Sequence, residues 1–261
     1  MHIPWKIRFM MGQLNWSTYR KASQILRKPS RYYRSLLDLA LRKNIQRPWR
    51  FVFRDGNQMK VSHFMSNYIF REIFIDKCYD EALEALSIGA PRILEIGGNT
   101  GFFALRAKAL IPNARITSYE PEPSNYMAFL DLIHENNLLD VVVHCEAVGA
   151  KDGIITLHLN DKNIGGHSTV KSFDSGRAET VPMISLDRLL EDHPYFDLVK
   201  LDCEGAEYDI LKSIQAEHAA KLSKLVFETD GPEAKKKALF DHLESLGYQI
   251  RTSSSLYIAE L

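Results

Sequence analysis

Two acidic residues in the segment "LVKLDCEGAEYDIL" have the side chains and the position that proton transfer requires. Asp202 follows an apolar run, and Glu204 stands two residues further on. A carboxylate at the end of a strand can orient a hydroxyl group and accept its proton. Asp202 is therefore the first candidate for a general base. Glu204 could bind the same hydroxyl group, or share a metal ion with Asp202. The alternative is that Asp202 caps a helix that begins near Gly205.

The segment "ILEIGGNTGFF" reads as a strand, a glycine turn and the start of a helix. Without a Cβ, Gly97 and Gly101 would let backbone N–H groups approach a ligand. Dinucleotide-binding turns have the spacing G-x-G-x-x-G, but Asn99 stands where the second glycine belongs. Glu95 would repel a phosphate and would suit an ammonium group. The turn therefore predicts a zwitterionic ligand rather than a polyanionic one.

Further candidates follow other apolar runs and one glycine pair. Glu120 comes nineteen residues after Gly101, where enzymes that use NAD and enzymes that use S-adenosylmethionine both place an acid for ribose hydroxyls. Glu146 and Ala147 follow the next predicted strand and would border an adenine. His167, in "GGHSTV", could bring an imidazole to the hydroxyl group that gives up its proton, although a lone loop histidine is more often simply solvated.

Strand-like and helix-like segments alternate from Arg92 onward, which predicts a parallel sheet with helices on both faces. This doubly wound α/β arrangement puts Asp202 at the carboxyl edge of the sheet, beside the first strand. The end of the chain predicts an antiparallel hairpin at the sheet edge. The predicted strands are 92–96, 115–119, 141–145, 197–202, 224–228, 247–251 and 255–260, and the predicted helices are 101–110, 123–137, 206–215 and 233–246.

Several of these segments together resemble the FkbM-type S-adenosylmethionine-dependent methyltransferases, in order and approximate spacing over about residues 91–231. They are "ILEIGGNTGFFAL", "SYEPEPSNYMAFL", "AVGAKDGIITLHL", "GGHSTV", "LVKLDCEGAEYDIL" and "LVFETDG". The resemblance implies a class I methyltransferase (Rossmann-like) fold, S-adenosylmethionine as methyl donor, and O-methylation of a sugar, glycan or other small hydroxylated metabolite. Two positions depart from the family, which usually has Asp at Glu95 and Ala at Gly98. The longer Glu95 could make its cofactor contact through water.

Three alternatives remain open at this point: an NAD-dependent oxidoreductase, a non-catalytic nucleotide-binding protein and a nucleic-acid methyltransferase. Asn99 disfavours the first, and the third lacks an Asn/Asp-Pro-Pro-Tyr/Phe motif. A divalent metal is not favoured. Lys200, inside a predicted strand, needs a partner such as Glu228. The residues that recognise the acceptor are expected in 55–90 and 153–184.

The net charge of zero hides a strong asymmetry along the 261 residues. Residues 1–50 carry twelve Lys or Arg and one acid, Asp38, so this segment has a charge of +11 and the remainder −11. With its interleaved aromatics, the segment could lie on an anionic membrane surface or pack against the acidic remainder or a second subunit. We expect a basic arm at 1–50, a hairpin and helical cap at 51–90, with one helix over about 67–87, and the α/β domain at 91–261.

The cellular compartment, and the lack of disulfide bonds or a zinc site, are predicted from features that the sequence does not contain. Three widely spaced cysteines predict neither a disulfide framework nor a zinc site. The N-terminal segment lacks the apolar stretch of a secretory signal, and no run is long enough to span a membrane. These features predict a cytoplasmic protein, peripheral to the inner membrane face if residues 1–50 bind lipid. A basic organellar transit peptide stays open as an alternative.

Overall fold

The computed structural model describes residues 5–41, 47–86, 89–158, 178–203, 205–229 and 232–261. The chain forms two compact units: residues 1–77 with 134–137, and residues 78–133 with 138–261. The division falls between Lys77 and Cys78, whereas the sequence placed boundaries at 50/51 and 90/91. The basic segment and the hairpin therefore belong to one unit, and residues 78–90 belong to the other.

In its described residues, the first unit contains three helices, a hairpin and a further helix that ends in a π-helical turn. A cluster of aromatic rings lies at its centre: Phe51 lies 5.0 Å from Phe70, and Tyr32 lies 5.3 Å from Phe70, between ring centroids. The elements are α1 Trp5–Gln13, α2 Trp16–Ile25, α3 Ser30–Leu41, β1 Trp49–Val52, β2 Gln58–Val61, α4 Phe64–Phe70 and the π-helical turn Arg71–Ile75.

The predicted hairpin is confirmed, but the predicted helix over 67–87 is wrong. Strands β1 and β2 pair antiparallel around a turn in which Gly56 has a φ of +102°. The helix instead runs through α4 and the π-helical turn, and it stops where Lys77 adopts a φ of +58°. A left-handed residue cannot continue a right-handed helix, so the helical spacing on either side belongs to two separate elements.

The second unit contains a seven-stranded sheet, a three-stranded sheet and seven helices in its described part. Its strands are β3 Arg92–Ile96, β4 Arg115–Tyr119, β5 Val141–His144, β6 Ala147–Gly149, β7 Gly153–His158, β8 Ala178–Ser185, β9 Leu198–Leu201, β10 Lys224–Phe227, β11 Gln249–Ser253 and β12 Leu256–Glu260. Its helices are α5 Asp80–Glu84, α6 Phe102–Leu110, α7 Pro123–Asn136, whose last turn belongs to the first unit, α8 Leu186–Glu191, α9 Glu207–Ser213, α10 Ala216–Ala219 and α11 Glu233–Ser245.

The large sheet has the strand order β11-β12-β10-β9-β3-β4-β5, and only β12 runs antiparallel to the rest. The order reverses at β3, which has β4 on one side and β9 on the other. Right-handed crossovers therefore place the connecting helices of the two halves on opposite faces. The predicted doubly wound class I methyltransferase fold, with an antiparallel C-terminal hairpin at the edge, is confirmed. The last strand, β12, lies inside this edge, between β10 and β11.

The central strands are buried on both faces, which explains why they read as continuous apolar runs. Leu94 and Leu225 are both fully buried, and Val199 is nearly so. The small sheet β6-β8-β7 includes a strand, β6, that the sequence did not predict. None of the helices in the described residues is long and apolar enough to cross a membrane.

Candidate active site

The carboxyl ends of three adjacent strands meet at the point where the strand order reverses. Ile96, the last residue of β3, pairs with Tyr119 of β4 on one side and Leu201 of β9 on the other. The next residues along each chain segment are the glycine turn, Glu120 and Asp202. Open α/β sheets bind ligands in the crevice at such a reversal, so these residues define the candidate site.

The glycines of the turn are required by contacts inside the protein. Gly97 has a φ of +83°, and a Cβ there would lie 1.9 Å from the backbone oxygen of Asp202. A Cβ at Gly101 would lie 2.4 Å from the ring of Phe129. The sequence interpretation, close approach of a ligand, is therefore not needed to explain either glycine. The turn has to pack against the end of β9 and against α7.

Gly98, where the family usually has alanine, also has a local explanation. A Cβ at this position would lie 2.4 Å from Oγ of Ser118 and 2.9 Å from the Phe129 ring. Ser118 and Phe129 therefore leave no room for the alanine that the family usually has at this position. Asn99, next in the turn, has a φ of +46°, a conformation that asparagine tolerates better than most residues.

Glu120 links the end of β4 to the glycine turn. One carboxylate oxygen accepts the backbone N–H of Asn99 at 2.7 Å, and the other accepts the N–H of Glu122 at 3.0 Å. Burial raises the pKa of Glu120 to about 7, although both N–H groups favour the charged form. Each carboxylate oxygen has two lone pairs, so Glu120 retains capacity to accept ligand hydroxyls.

Glu95 is completely buried, and it lies between two cross-strand neighbours, Lys200 of β9 and Ser118 of β4. Neither of its carboxylate oxygens has a hydrogen-bond partner within the described part of the chain. The nearest cation is Nζ of Lys200, 4.0 Å away. Burial raises the pKa of Glu95 to about 7, and the charge of Lys200 opposes this shift. Glu95 is a residue of β3 and lies below the carboxyl edge of the sheet, so its predicted contact with the cofactor would have to be made from beneath that edge.

Lys200 holds the two turns of the site together. Its Nζ donates to the backbone oxygen of Gly97 at 2.6 Å and lies 3.3 Å from Oδ2 of Asp202. The sequence required an acidic partner for Lys200, such as Glu228; the ion pairs that the structure gives are with Asp202 and, at 4.0 Å, with Glu95. Asp202 directly follows β9, two residues after Lys200, and residues two apart along an extended chain point to the same face.

Tyr79 also reaches Asp202, and the sequence analysis missed it. Its hydroxyl donates to Oδ2 of Asp202 at 3.2 Å, across 123 residues of sequence. The Tyr79 ring packs edge-on against Phe103 at 5.1 Å. The next residue, Asp80, is fixed by the Arg106 guanidinium, whose Nε lies 2.9 Å away. No periodicity or motif marks Tyr79, so the sequence offered no signal that could have found it.

The helix-capping alternative for Asp202 is not what the structure shows. The loop before α9 is instead organised by Glu207, whose carboxylate accepts the N–H groups of Cys203 at 2.6 Å and Gly205 at 2.8 Å. Oδ1 of Asp202 has no partner among the residues described. Burial, with Glu207 and Asp202 nearby, raises the pKa of the Cys203 thiol well above its ordinary value, which disfavours the nucleophilic thiolate form.

The remaining predicted residues lie at the same edge or outside the described ranges. Glu146 and Ala147 follow β5 at the carboxyl edge, and Ala147 is buried at the start of β6. His167 and Glu204 lie outside the described residues, so their roles stay predictions. Within the described ranges no group of three or more His, Cys, Asp or Glu side chains could hold a metal ion.

Comparison with known proteins gives one family and several related chains. The profile of the methyltransferase FkbM domain matches residues 87–250. Methyltransferase 1 of Beauveria bassiana (strain ARSEF 2860) is 30% identical over 207 residues, which cover 70% of this chain and 81% of the relative. Methyltransferase sdnD of Sordaria araneosa is 27% identical over 223 residues, covering 73% and 85%. The crystal structure of precorrin-6y C5,15-methyltransferase from Geobacter metallireducens GS-15 covers 70% of this chain and 86% of its own, with a TM-score of 0.43 and 17% identity.

Proposed function

Because the chain belongs to the FkbM methyltransferase family, we propose that it transfers a methyl group from S-adenosylmethionine to a hydroxyl oxygen of a sugar, glycan or other small hydroxylated metabolite. The observation that carries the proposal is the meeting of Glu95, Glu120 and Asp202 at the reversal of strand order. When bound, S-adenosylmethionine supplies a methyl group on a positively charged sulfur. The acceptor oxygen would attack the carbon of this methyl group, in line with its bond to sulfur.

The chemistry of these side chains fits such a cofactor. Carboxylates accept hydrogen bonds from ribose hydroxyls and pair with an ammonium group, and they repel a pyrophosphate. We assign Glu120, at the end of β4, to the ribose, and Asp202, with Glu95 below the carboxyl edge of the sheet, to the amino-acid end. Glu146 and Ala147, after β5, are assigned to the adenine. This set of acceptors favours S-adenosylmethionine over NAD.

Asp202 is suited to orient the acceptor hydroxyl and to take its proton. Lys200 and Tyr79 both bind Oδ2, which fixes the carboxylate and leaves Oδ1 available. The side chain is 42% exposed, so an acceptor can reach it. A fixed carboxylate lowers the entropy cost of aligning the acceptor oxygen, and the proton is transferred to Oδ1 as the new bond forms.

Calorimetry tests the cofactor assignment. We expect saturable binding of S-adenosylhomocysteine and no comparable binding of NAD, because Asn99 takes the place of the second glycine of a dinucleotide-binding turn and Glu95 disfavours a pyrophosphate. Saturable micromolar binding of NAD, together with no response to S-adenosylhomocysteine, would overturn the proposal.

An Asp202→Asn variant tests the role of the carboxylate. Loss of general-base assistance typically lowers turnover by about 10²–10⁴-fold, while we expect the affinity for S-adenosylhomocysteine to change less than turnover. The measurement is transfer of labelled methyl groups to a panel of sugars and glycans. Asp209→Asn, an exposed acid in α9, is the matched control and should leave turnover unchanged. Normal turnover in Asp202→Asn would remove this residue from the mechanism.

A further inference from the structure

Helices α2 and α3 bring three aromatic rings into a row that begins at the surface with Trp16 and Tyr19 and ends at Tyr33, which is partly buried and has a buried hydroxyl. Trp16 is 77% exposed and Tyr19 is 40% exposed. The ring of Trp16 stacks on that of Tyr19 at 5.6 Å, and Tyr19 stacks on Tyr33 of α3 at 6.0 Å. The row therefore passes from one helix to the other.

Helix α3 extends this row with two leucines. Leu37 and Leu41 follow Tyr33 at spacings of four and eight residues, which places all three on one side of the helix. Leu37 is 50% exposed and Leu41 is 67% exposed, whereas Tyr32 and Leu36 on the other side are fully buried. We call Trp16, Tyr19, Tyr33, Leu37 and Leu41 the α2–α3 face.

The surroundings of the α2–α3 face are strongly cationic. Residues 5–41 contain eight Lys or Arg and a single acid, Asp38, whose carboxylate accepts the indole N–H of Trp49 at 3.2 Å. Arg20, one turn after Trp16, and Arg34, one turn before Leu37, are exposed beside the face. An apolar surface bordered by cations has the charge that complements an anionic partner.

We propose that the α2–α3 face docks on the surface of an anionic lipid bilayer. Tryptophan and tyrosine rings are favoured at the depth of lipid headgroups, and the leucines enter the boundary of the acyl region. The flanking arginines remain at the level of the anionic headgroups. The location goes beyond the methyl-transfer proposal and does not depend on it.

Two other occupants fit the surface less well. A second copy of the chain, seated across a twofold axis, would bring the same cationic surroundings against each other. A single-stranded nucleic acid would use the aromatic rings and the cations, but it gives no role to the exposed Leu37 and Leu41. A lipid surface uses all three kinds of side chain.

Sedimentation of the full chain with vesicles tests the proposal. We expect the protein to sediment with vesicles of equal phosphatidylcholine and phosphatidylglycerol at low ionic strength, and to remain in solution with phosphatidylcholine alone. Added salt should release it, because the Debye length falls to about 3 Å at 1 M salt. No sedimentation with the mixed vesicles at low salt would overturn the proposal.

Surface variants locate the contact. The double variant Trp16→Ser, Leu37→Ser should bind the mixed vesicles on the order of tenfold more weakly, and Arg20→Gln and Arg34→Gln about fivefold each. The matched apolar controls are Leu139→Ser and Ile154→Ser, each 74% exposed in the other unit, and the charge control is the exposed Lys151→Gln. Equal losses in the controls would overturn the assignment to this face.

Two further measurements separate the competing partners. A dimer that dissociates in Trp16→Ser would assign the face to a second copy, and tighter binding of a single-stranded oligonucleotide than of vesicles would assign it to nucleic acid. Either result overturns the lipid proposal. Calorimetry with S-adenosylhomocysteine, done on the same variants, shows independently whether the cofactor site is present.

Discussion

At the scale of single residues, the environment of Asp202 depends on two donors that meet on one oxygen. We expect Tyr79→Phe to lower kcat roughly two- to tenfold, because one neutral hydrogen bond contributes about 0.5–1.5 kcal/mol. The ring contact with Phe103 remains in this variant, so the fold should persist. Steady-state kinetics with the methyl acceptor measure the change, and Tyr195→Phe, at an exposed tyrosine, is the control. Equal kcat in the wild type and Tyr79→Phe would show that Lys200 alone fixes Asp202.

The raised pKa of Glu95 predicts how the free energy of unfolding changes with pH. Burial raises its pKa from an ordinary 4.5 to about 7, so the folded chain keeps a proton that the unfolded chain releases. The free energy of unfolding should therefore fall as pH rises through this interval, by at most on the order of 3 kcal/mol. Glu95→Gln cannot ionise, and it should remove this part of the slope.

Urea unfolding of the wild type and Glu95→Gln between pH 4.5 and 7 measures the difference. Glu120 also has a raised pKa and contributes in the same direction in both proteins, so the measured quantity is the difference between the two slopes. Identical slopes for the two proteins would mean that Glu95 is ionised in the folded chain.

Sequence reasoning placed Asp202 and Glu120 at the carboxyl edge of the sheet, where the structure has them, but it did not find the residues that contact them. Asp202 and Glu120 could be placed because each follows an apolar run that ends at the same edge of a parallel sheet. The pairing of Glu95 with Lys200 depends on the register between β3 and β9, and Tyr79 reaches the site across 123 residues. Neither fact is encoded in local spacing.

At the scale of elements, the turn between β3 and α6 is constrained by the residues around it. Gly97→Ala should lower the free energy of unfolding by at least about 2 kcal/mol, because it adds a left-handed strain and a collision with the Asp202 backbone. Gly153→Ala is the matched control: its Cβ would meet nothing closer than 3.9 Å, and its φ is not positive. Urea unfolding measures both variants. A Gly97→Ala variant as stable as Gly153→Ala would mean that the turn can move away from β9.

The element boundaries show what local patterns can determine. The predicted strands 92–96 and 115–119 match β3 and β4 residue for residue, because each segment, mostly buried, is followed directly by a polar or glycine-containing turn. The predicted helix over 67–87 failed at Lys77, where a left-handed backbone interrupts a continuous helical pattern. Strand β6 was missed because three residues are too few to show any period.

At the scale of the whole molecule, the basic N-terminal segment is an integral part of a folded unit. Leu26 is 1% exposed, and the backbone N–H of Arg27 donates to Val52 at 2.9 Å. Removing residues 1–28 should therefore lower the melting temperature, contrary to what a detachable membrane anchor would do. Deletion cannot test membrane contact for this reason, and surface substitutions are needed instead.

Two point variants separate the structural role of this segment from its surface. Leu26→Ala should destabilise the protein by about 2–5 kcal/mol, because it leaves a cavity in the core. Leu37→Ala, at a half-exposed position of the α2–α3 face, should change stability by no more than about 0.5 kcal/mol. Thermal unfolding measures both. If Leu26→Ala and Leu37→Ala have the same melting temperature, the first unit adds little to the stability of the chain.

The sequence by itself determined the α/β class, the limits of β3 and β4, the family and the acids at the carboxyl edge. These properties depend on hydrophobic periodicity and on short motifs, which are local along the chain. The tertiary structure alone decided that Lys200 and Tyr79 fix Asp202, that Glu95 is buried without a hydrogen-bond partner among the described residues, and that residues 5–41 fold with the hairpin. These depend on strand register and on contacts between distant segments, because burial and pairing are set by which surfaces meet in the fold.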